Sequence, residues 1–492
     1  MKTSLPNPFL LFILLVGFSS METSQASAQS FTTLYSFTAT ATSSPYTNAD
    51  GARLSAELLL SGNTLYGTAV VGGSSGNGTV FALNTDGTGF TNLHSFTVTS
   101  GGSLPNIKNT DGANPYAGLL LSGNTLYGTT EYGGTNGNGT VFALSTDGTS
   151  FTNLHIFTAT GTINGDGANP YAGLMLSGNT LYGTTETGGT HGYGTVFAIN
   201  TDGTSFTNLH SFITKDGVGP FAGLILSGNT LYGVTSGAIG NSILENGTVF
   251  AVNTDGTSFT NLHSIIAREG VLPFGGLILL SNTLYGTTES GGTHGYGTVF
   301  AINTDGTSFT NLHSFNQSDG WEPQAGLILS GNTLYGTTTY GGNSAVRGYS
   351  GNGTVFAVNT DGTGFTNLHS FTATAGSDGS YGTNSDGGYP VGGLILSNNT
   401  LYGTTHIGGT SGSGTIFSIS LTASQPQLTI LLSGPNVILT WPTNATGLVL
   451  QSATDLVSPV WTTNSPAPVV VNGLNTLTNP MSGTQQFYRL SQ

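Results

Sequence analysis

The chain has 492 residues, of which only 6% are charged, and it carries a net charge of −15 with seven Lys and Arg in total. So few basic residues exclude a phosphate-tracking stripe for nucleic acid and a polybasic patch for anionic membranes. The lack of Cys excludes disulfides, thiolate metal sites and Cys nucleophiles. Hydrophobic content of 36% and an aromatic share of 10% suffice for a packed core, whereas disorder goes with high charge and few aromatics.

The N-terminus predicts a signal peptide over residues 1–28. Lys2 gives a weakly positive start, Phe9 to Phe18 is an apolar run, and Ala26-Ser27-Ala28 is a small-residue cleavage site that would leave Gln29 first in the mature chain. The run is short for a membrane span and no second one follows, so a secreted protein without a transmembrane helix is expected.

From Phe31 the sequence repeats. NTLYG occurs seven times, with its tyrosine at Tyr66, Tyr127, Tyr182, Tyr232, Tyr285, Tyr335 and Tyr402, at intervals of 50 to 67 residues. Each copy is preceded by an apolar segment of the GLIL kind and followed by GTVF or GTIF. A fourth segment, FTNLHSF or a variant, begins at Phe31, Phe90, Phe151, Phe206, Phe259, Phe309 and Phe365. Four short segments rich in β-branched and aromatic residues, separated by Ser-Gly-Asn and Asp-Gly turns, predict a four-stranded antiparallel meander per repeat. One such sheet cannot bury both faces, but seven arranged radially can, so the expected fold is an all-β, seven-bladed β-propeller over 29–421.

With the strands lettered A to D in that order, the array opens on a D strand, Phe31 to Phe37, that lacks its own A, B and C. It ends on a C strand, Gly414 to Ser420, that lacks a D. The two ends are expected to share one sheet and close the ring.

Loop lengths separate two faces. The interval from the Gly of strand C to the Phe of strand D is 12 residues in each copy, as in Gly78 to Phe90, and the A–B interval is equally fixed. The D–A and B–C loops vary, and variable loops on a rigid scaffold are where binding residues tend to sit. An acidic residue before Gly precedes strand A in every repeat: Asp50, Asp111, Asp166, Asp216, Glu269, Asp319 and Asp386. If strand A lines a central channel, these would ring its mouth as oxygen donors for Ca²⁺ or a similar hard cation; otherwise they are turn residues. No other cofactor is expected.

Glu131, Glu186 and Glu289 share one position in the B–C loops, where the other repeats have Val70, Ser236, Thr339 and His406. Trp321 and Glu322 break the pattern of the sixth repeat, and Tyr132, Tyr193, Tyr296, Tyr340 and Tyr349 lie in the same loops. Carboxylates beside aromatic platforms suit sugar rings, and equally suit plain loop packing. Six histidines sit in D strands, with Tyr35 in place of the seventh, and read as structural. No G-x-S-x-G, H-E-x-x-H or P-loop occurs, but a carboxylate-pair hydrolase or lyase has no local signature.

After the linker 422–427, residues 428–492 alternate in short strands. Trp441 and Tyr488 occupy positions expected of a small fibronectin- or immunoglobulin-like β-sandwich.

The block LYGTTExGGTxGxGTVFA followed by FTNLHSF, running from about Phe31 to Ser420, resembles the GloVer tandem repeat of bacterial "choice-of-anchor" surface proteins. The resemblance implies secretion and a separate anchoring or sorting tail, and it implies no catalytic residues. This chain ends in a β module, with no apolar helix and basic tail. The expectation is a monomeric, non-enzymatic surface or binding protein for a glycan or other polar cell-surface component. The alternative is an extracellular glycan-active hydrolase or lyase.

Overall fold

The computed structural model describes residues 30–100, 107–158, 164–239, 242–243, 245–342, 351–374, 382–421, 428–433, 435–442, 449–455, 460–463, 467–471, 474–480 and 486–491. The expected leader (1–28), the linker (422–427) and Tyr349 lie outside them. The described residues contain strands and no helices. Two compact units divide them, one over 29–420 and one from Leu421 onward.

In the first unit the described strands form seven four-stranded antiparallel sheets and two small two-stranded ones in the loops. The second repeat shows the pattern: strand A is Leu120–Ser122, B is Thr125–Thr130, C is Thr140–Ser145 and D is Phe151–Ile156. Gly128 of strand B sits opposite Phe142 of strand C. A Cβ on Gly128 would stand 2.5 Å from the Phe142 ring, so glycine leaves the slot in which a fully buried phenylalanine packs. The C–D turn follows from Asp147, whose Oδ1 accepts the Thr149 N–H at 3.0 Å and hydroxyl at 2.7 Å, while Gly148 takes a φ of +76°.

The unpaired N-terminal segment forms strand Ser30–Ser36 and pairs antiparallel with Thr415–Ser420, completing the sheet of Ile395–Ser397 and Thr400–Thr405. The expected sharing of one sheet by the two end strands is present, with Phe31 opposite Ile419 and a register shift between Thr33 and Tyr35.

Neighbouring sheets are joined by repeating contacts. A strand-B threonine donates to the carbonyl before the next strand A, as in Thr68 to Ala117 (3.0 Å), Thr129 to Ala172 (3.0 Å) and Thr404 to Ala56 (2.9 Å). Each D-strand histidine stacks on the phenylalanine that begins the next D strand. The series includes His94 on Phe151 at 4.1 Å and His369 on Phe31 at 3.9 Å, and Tyr35 on Phe90 at 4.4 Å stands for the seventh. Between sheets lie apolar clusters such as Val80, Phe96, Leu126 and Phe142. Each fully buried side chain of this size contributes about 1.5–3 kcal/mol of transfer free energy.

In the second unit, a four-stranded and a three-stranded sheet share a core of Val437, Leu439, Trp441, Leu450 and Leu477, against which Tyr488 packs. Trp441 is 2% exposed. Sequence patterning marked five strands here. The described residues form seven, the two that the patterning missed being the short Thr462–Thr463 and Leu474–Pro480.

Candidate ligand-binding site

Immediately before each strand A the chain carries an equivalent triplet: Ser-Ala-Glu at 55–57, Tyr-Ala-Gly at 116–118 and 171–173, Phe-Ala-Gly at 221–223, Phe-Gly-Gly at 274–276, Gln-Ala-Gly at 324–326 and Val-Gly-Gly at 391–393. All seven contribute to the lining of one cavity of about 560 Å³. Its wall is uneven. Tyr116 stacks on Tyr171 at 4.7 Å, Tyr171 meets Phe221 edge-on at 5.4 Å, and Phe221 meets Phe274 edge-on at 5.2 Å. This aromatic arc spans repeats two to five. Repeats six, seven and one present Gln324, Val391 and Ser55 instead.

Two residues before each triplet the backbone turns left-handed. Arg53, Asn114, Asn169, Leu272, Glu322 and Tyr389 have φ between 55° and 60°, and Gly219 takes 63°. The turn lets each residue bridge repeats. Glu322 N–H donates to Tyr296 O of the preceding repeat at 3.2 Å, and Glu322 O accepts the Thr339 N–H at 2.9 Å. The same pair of bonds recurs at Arg53, with Ser413 and Val70 at 3.0 and 3.2 Å. A non-glycine residue pays roughly 1–2 kcal/mol for this conformation, and asparagine or glycine suffers least. Repeats one, five, six and seven nonetheless carry Arg, Leu, Glu and Tyr, so these positions hold side chains in spite of the backbone. Such strain concentrates at functional sites.

The residues singled out from sequence assemble here into two clusters. In the first, Glu131 and Glu186 are both buried. Burial pushes the Glu131 carboxyl up to about 7, against a hydrogen bond from Tyr132 and with the help of the Glu186 charge. Burial likewise pushes the Tyr116 hydroxyl up to about 12, with Glu131 adding to it, and holds the Tyr132 hydroxyl well above its ordinary value. In the second cluster, burial raises Glu289 to about 7, the Glu322 charge adding to it and a Gln324 hydrogen bond opposing. Glu289 lines the cavity. Trp321 and Tyr340 exchange backbone hydrogen bonds at 2.9 Å, and their rings lie 5.4 Å apart. Tyr296 on one side and Tyr389 on the other extend the aromatic row. His406, in the loop column of the glutamates, is driven down to about 4 by burial and by Arg53, and its Nδ1 lies 3.1 Å from Ser55 Oγ.

The expectation of seven carboxylates ringing the channel mouth is corrected. Asp111, Asp166, Asp216, Glu269, Asp319 and Asp386 lie against the Nε2 of His94, His155, His210, His263, His313 and His369 at 2.7–3.2 Å, at the D strands. Asp50 meets Tyr35 there instead. Strand D is the far edge of each sheet from the cavity, so these acids are dispersed among the repeats. Hydrogen bonds to their own histidine and backbone hold them in place. Among the described residues no group of three or more His, Asp or Glu is disposed to hold a metal. Sequence reasoning missed Arg53, Glu57, Tyr116, Tyr171, Phe221, Phe274, Gln324 and Tyr389. The signal available was a glutamate in a glycine column at position 57 and aromatic residues in the column that begins each triplet.

Among solved structures, the chain is similar to a GH74 enzyme of Niastella koreensis, at 15% identity over 90% of this chain and 71% of that one, with a TM-score of 0.47. It is also similar to a puromycin-hydrolyzing peptidase of Mycobacterium tuberculosis, at 13% identity over 83% and 62% with a TM-score of 0.44. No curated protein matches the chain. A family model described as Gloeobacter/Verrucomicrobia repeat matches residues 103–278 and 240–447.

Proposed function

The chain belongs to the Gloeobacter/Verrucomicrobia repeat family, and from that premise we propose that it is a secreted, non-enzymatic binding protein. In this reading the seven sheets are the blades of a propeller closed by the N-terminal strand. Residues 428–492 are a fibronectin- or immunoglobulin-like module serving as a docking or sorting tail. The ligand is a glycan or similar hydroxyl-rich molecule on a cell surface, taken at the cavity by a single copy of the chain. Support for the ring comes from the lateral contacts, which run from each repeat to the next and from the seventh back to the first through Thr404 and Ala56. Support for secretion is the leader-like sequence of residues 1–28 and the resemblance to surface proteins.

The observation that carries the ligand reading is one cavity lined by an aromatic arc, by Gln324 and by the carboxylates Glu57 and Glu289. A volume of about 560 Å³ is that of a small-molecule or oligosaccharide subsite. Aromatic faces stack on sugar rings, while carboxylates and Gln324 accept and donate to hydroxyls. A glycan array probed with the wild-type chain and with Tyr171→Ala is the test. Binding to a defined glycan class that the variant loses supports the reading, and silence across the array overturns it.

A second reading, a glycan-active hydrolase, is favoured by one feature: in each cluster one carboxyl is held near 7 beside another acid. Paired carboxylates of this kind are what a glycosidase uses. Release of reducing ends from a bound glycan, lost in Glu131→Gln or Glu289→Gln, would establish it. Stable binding without turnover disposes of it.

A further inference from the structure

Six of the seven triplets end in glycine and the seventh ends in Glu57. The glycines meet closely: a Cβ on Gly326 would stand 3.1 Å from the Gly276 carbonyl oxygen, and one on Gly173 would stand 3.4 Å from that of Gly118. Backbones this near leave a side chain only the lumen to enter. The Glu57 carboxylate accordingly lies over its two glycine neighbours, with Oε2 3.0 Å from the Cβ position of Gly393 and Oε1 3.5 Å from that of Gly118. Its side chain is exposed to the solvent of the cavity that it lines, and the protein mass around the lumen pushes its carboxyl up. It has no hydrogen-bond or ion-pair partner among the described residues.

The lining itself carries acids and aromatic rings, with Arg53 acting on Tyr116 from outside it. The ionisable acids lining the cavity are Glu57 and Glu289, and no Lys, Arg or His is among the described lining residues. A concave surface of one sign, walled by low-dielectric protein, concentrates ions of the other sign. The arc of Tyr116, Tyr171, Phe221 and Phe274 lines the same lumen, and aromatic rings attract an organic cation. A neutral sugar would leave the Glu57 charge uncompensated, whereas an ammonium group neutralises it through charge-assisted hydrogen bonds. A hard divalent metal wants six to eight oxygens, and no cluster of three acids or histidines stands here.

We propose that the cavity takes a ligand carrying an organic ammonium group, held between the Glu57 carboxylate and the aromatic arc. This rests on the reading of the cavity as the ligand site and narrows the ligand to amine-bearing molecules such as amino sugars or alkyl diamines.

Isothermal titration of the full chain with glucosamine and 1,4-diaminobutane, against glucose and 1,4-butanediol, tests it. The amines bind the wild type at least about tenfold more tightly than their neutral counterparts. Glu57→Gly, which restores the residue of the other six repeats, and Glu57→Gln both remove that preference while melting as the wild type does. Amine affinity unchanged in both variants overturns the proposal, as does equal binding of amines and neutral analogues. Ca²⁺ that binds and displaces the amine also overturns it, in favour of a metal. Neutral glycans that bind wild type and Glu57→Gly alike would sink the ammonium inference and leave the cavity as a ligand site. Silence with every probe, on the array as well, removes both.

Discussion

Tyr35 donates its phenolic hydroxyl to Asp50 Oδ2 at 3.0 Å, at the place where six other repeats set a histidine Nε2 against an acid. Asp50 is 3% exposed and also accepts the Thr38 N–H at 2.9 Å. The tyrosine stacks on Phe90 as the histidines stack on their own phenylalanines. Tyr35→Phe keeps the stack and removes one bond to a buried carboxylate. It is expected to lower stability by about 1–2 kcal/mol, and Tyr35→His to recover most of that. Chemical-denaturation midpoints of the three proteins decide; a Tyr35→Phe midpoint equal to that of the wild type would refute the role given to the bond.

The same pairs set a response to acid. Burial works to raise the Asp386 carboxyl, but hydrogen bonds from His369 and Thr372 outweigh it and hold it below its ordinary value; Asp166 is lowered in the same way by His155 and Thr158. A carboxyl lowered on folding stabilises the protein above its unfolded pKa and loses that contribution as pH falls through the folded one. Stability is therefore expected to drop from about pH 4 downward. Asp386→Asn should be less stable at pH 6 and should lose part of the slope between pH 4 and 2. Equal slopes in denaturant titrations of both proteins would contradict it.

Glu131, in the first carboxylate cluster, and Glu289, in the second, respond in the opposite sense. Glu131 and Glu289 are raised to about 7 from an ordinary 4.5. The native state thus holds protons that the unfolded state releases, and stability falls as pH rises between those values. Glu131→Gln, neutral at every pH, is expected to gain about 1–3 kcal/mol over the wild type at pH 8 relative to pH 4. A pH-independent difference between the two proteins would show that Glu131 titrates normally.

Two glycines of the second repeat should differ sharply. Gly128→Ala drives a Cβ to 2.5 Å from Phe142 and is expected to destabilise by about 3 kcal/mol or more. Gly123, in the A–B turn with φ +59°, has nothing within 4 Å of its Cβ position, so Gly123→Ala carries only the backbone term of about 1–2 kcal/mol and Gly123→Asn less. Similar losses at both sites would mean that Phe142 yields to the methyl group.

Glu322→Gly relieves a left-handed glutamate at a column where Gly219 already serves the fourth repeat. Its stability is expected to hold or to rise by about 1 kcal/mol, while affinity for a cavity ligand falls. A marked loss of stability would assign Glu322 to the scaffold instead of the site.

The repeat, its four strands and the pairing of the orphan first strand were legible because they rest on local patterning and turn chemistry, which each copy restates. The histidine–acid pairs were not. His210 and Asp216 are six residues apart, whereas His94 and Asp111 are 17 apart. The variable D–A loop lies between the partners and no fixed spacing survives it. Glu131, Glu186 and Glu289 could be found as exceptions within a column. The grouping of Glu131 with Glu186, and of Glu289 with Glu322, depends on which repeats are neighbours in space. The cavity wall escaped because its residues precede strand A, in segments too short to carry a periodic signal. Glu57 stood out only as one acid among glycines.

Strand Ser30–Ser36 pairs with residues some 385 positions further along the chain. Of the described strands this one is synthesised first, and water meets its backbone donors and acceptors until Ser420 is available. The seventh sheet is thus the last to assemble, and the slow, long-range closure typical of non-local strand pairing governs when the unit becomes whole. Once formed, the same pairing fastens one end of the repeat array to the other. Fraying from either end then requires peeling apart a sheet to which both ends contribute.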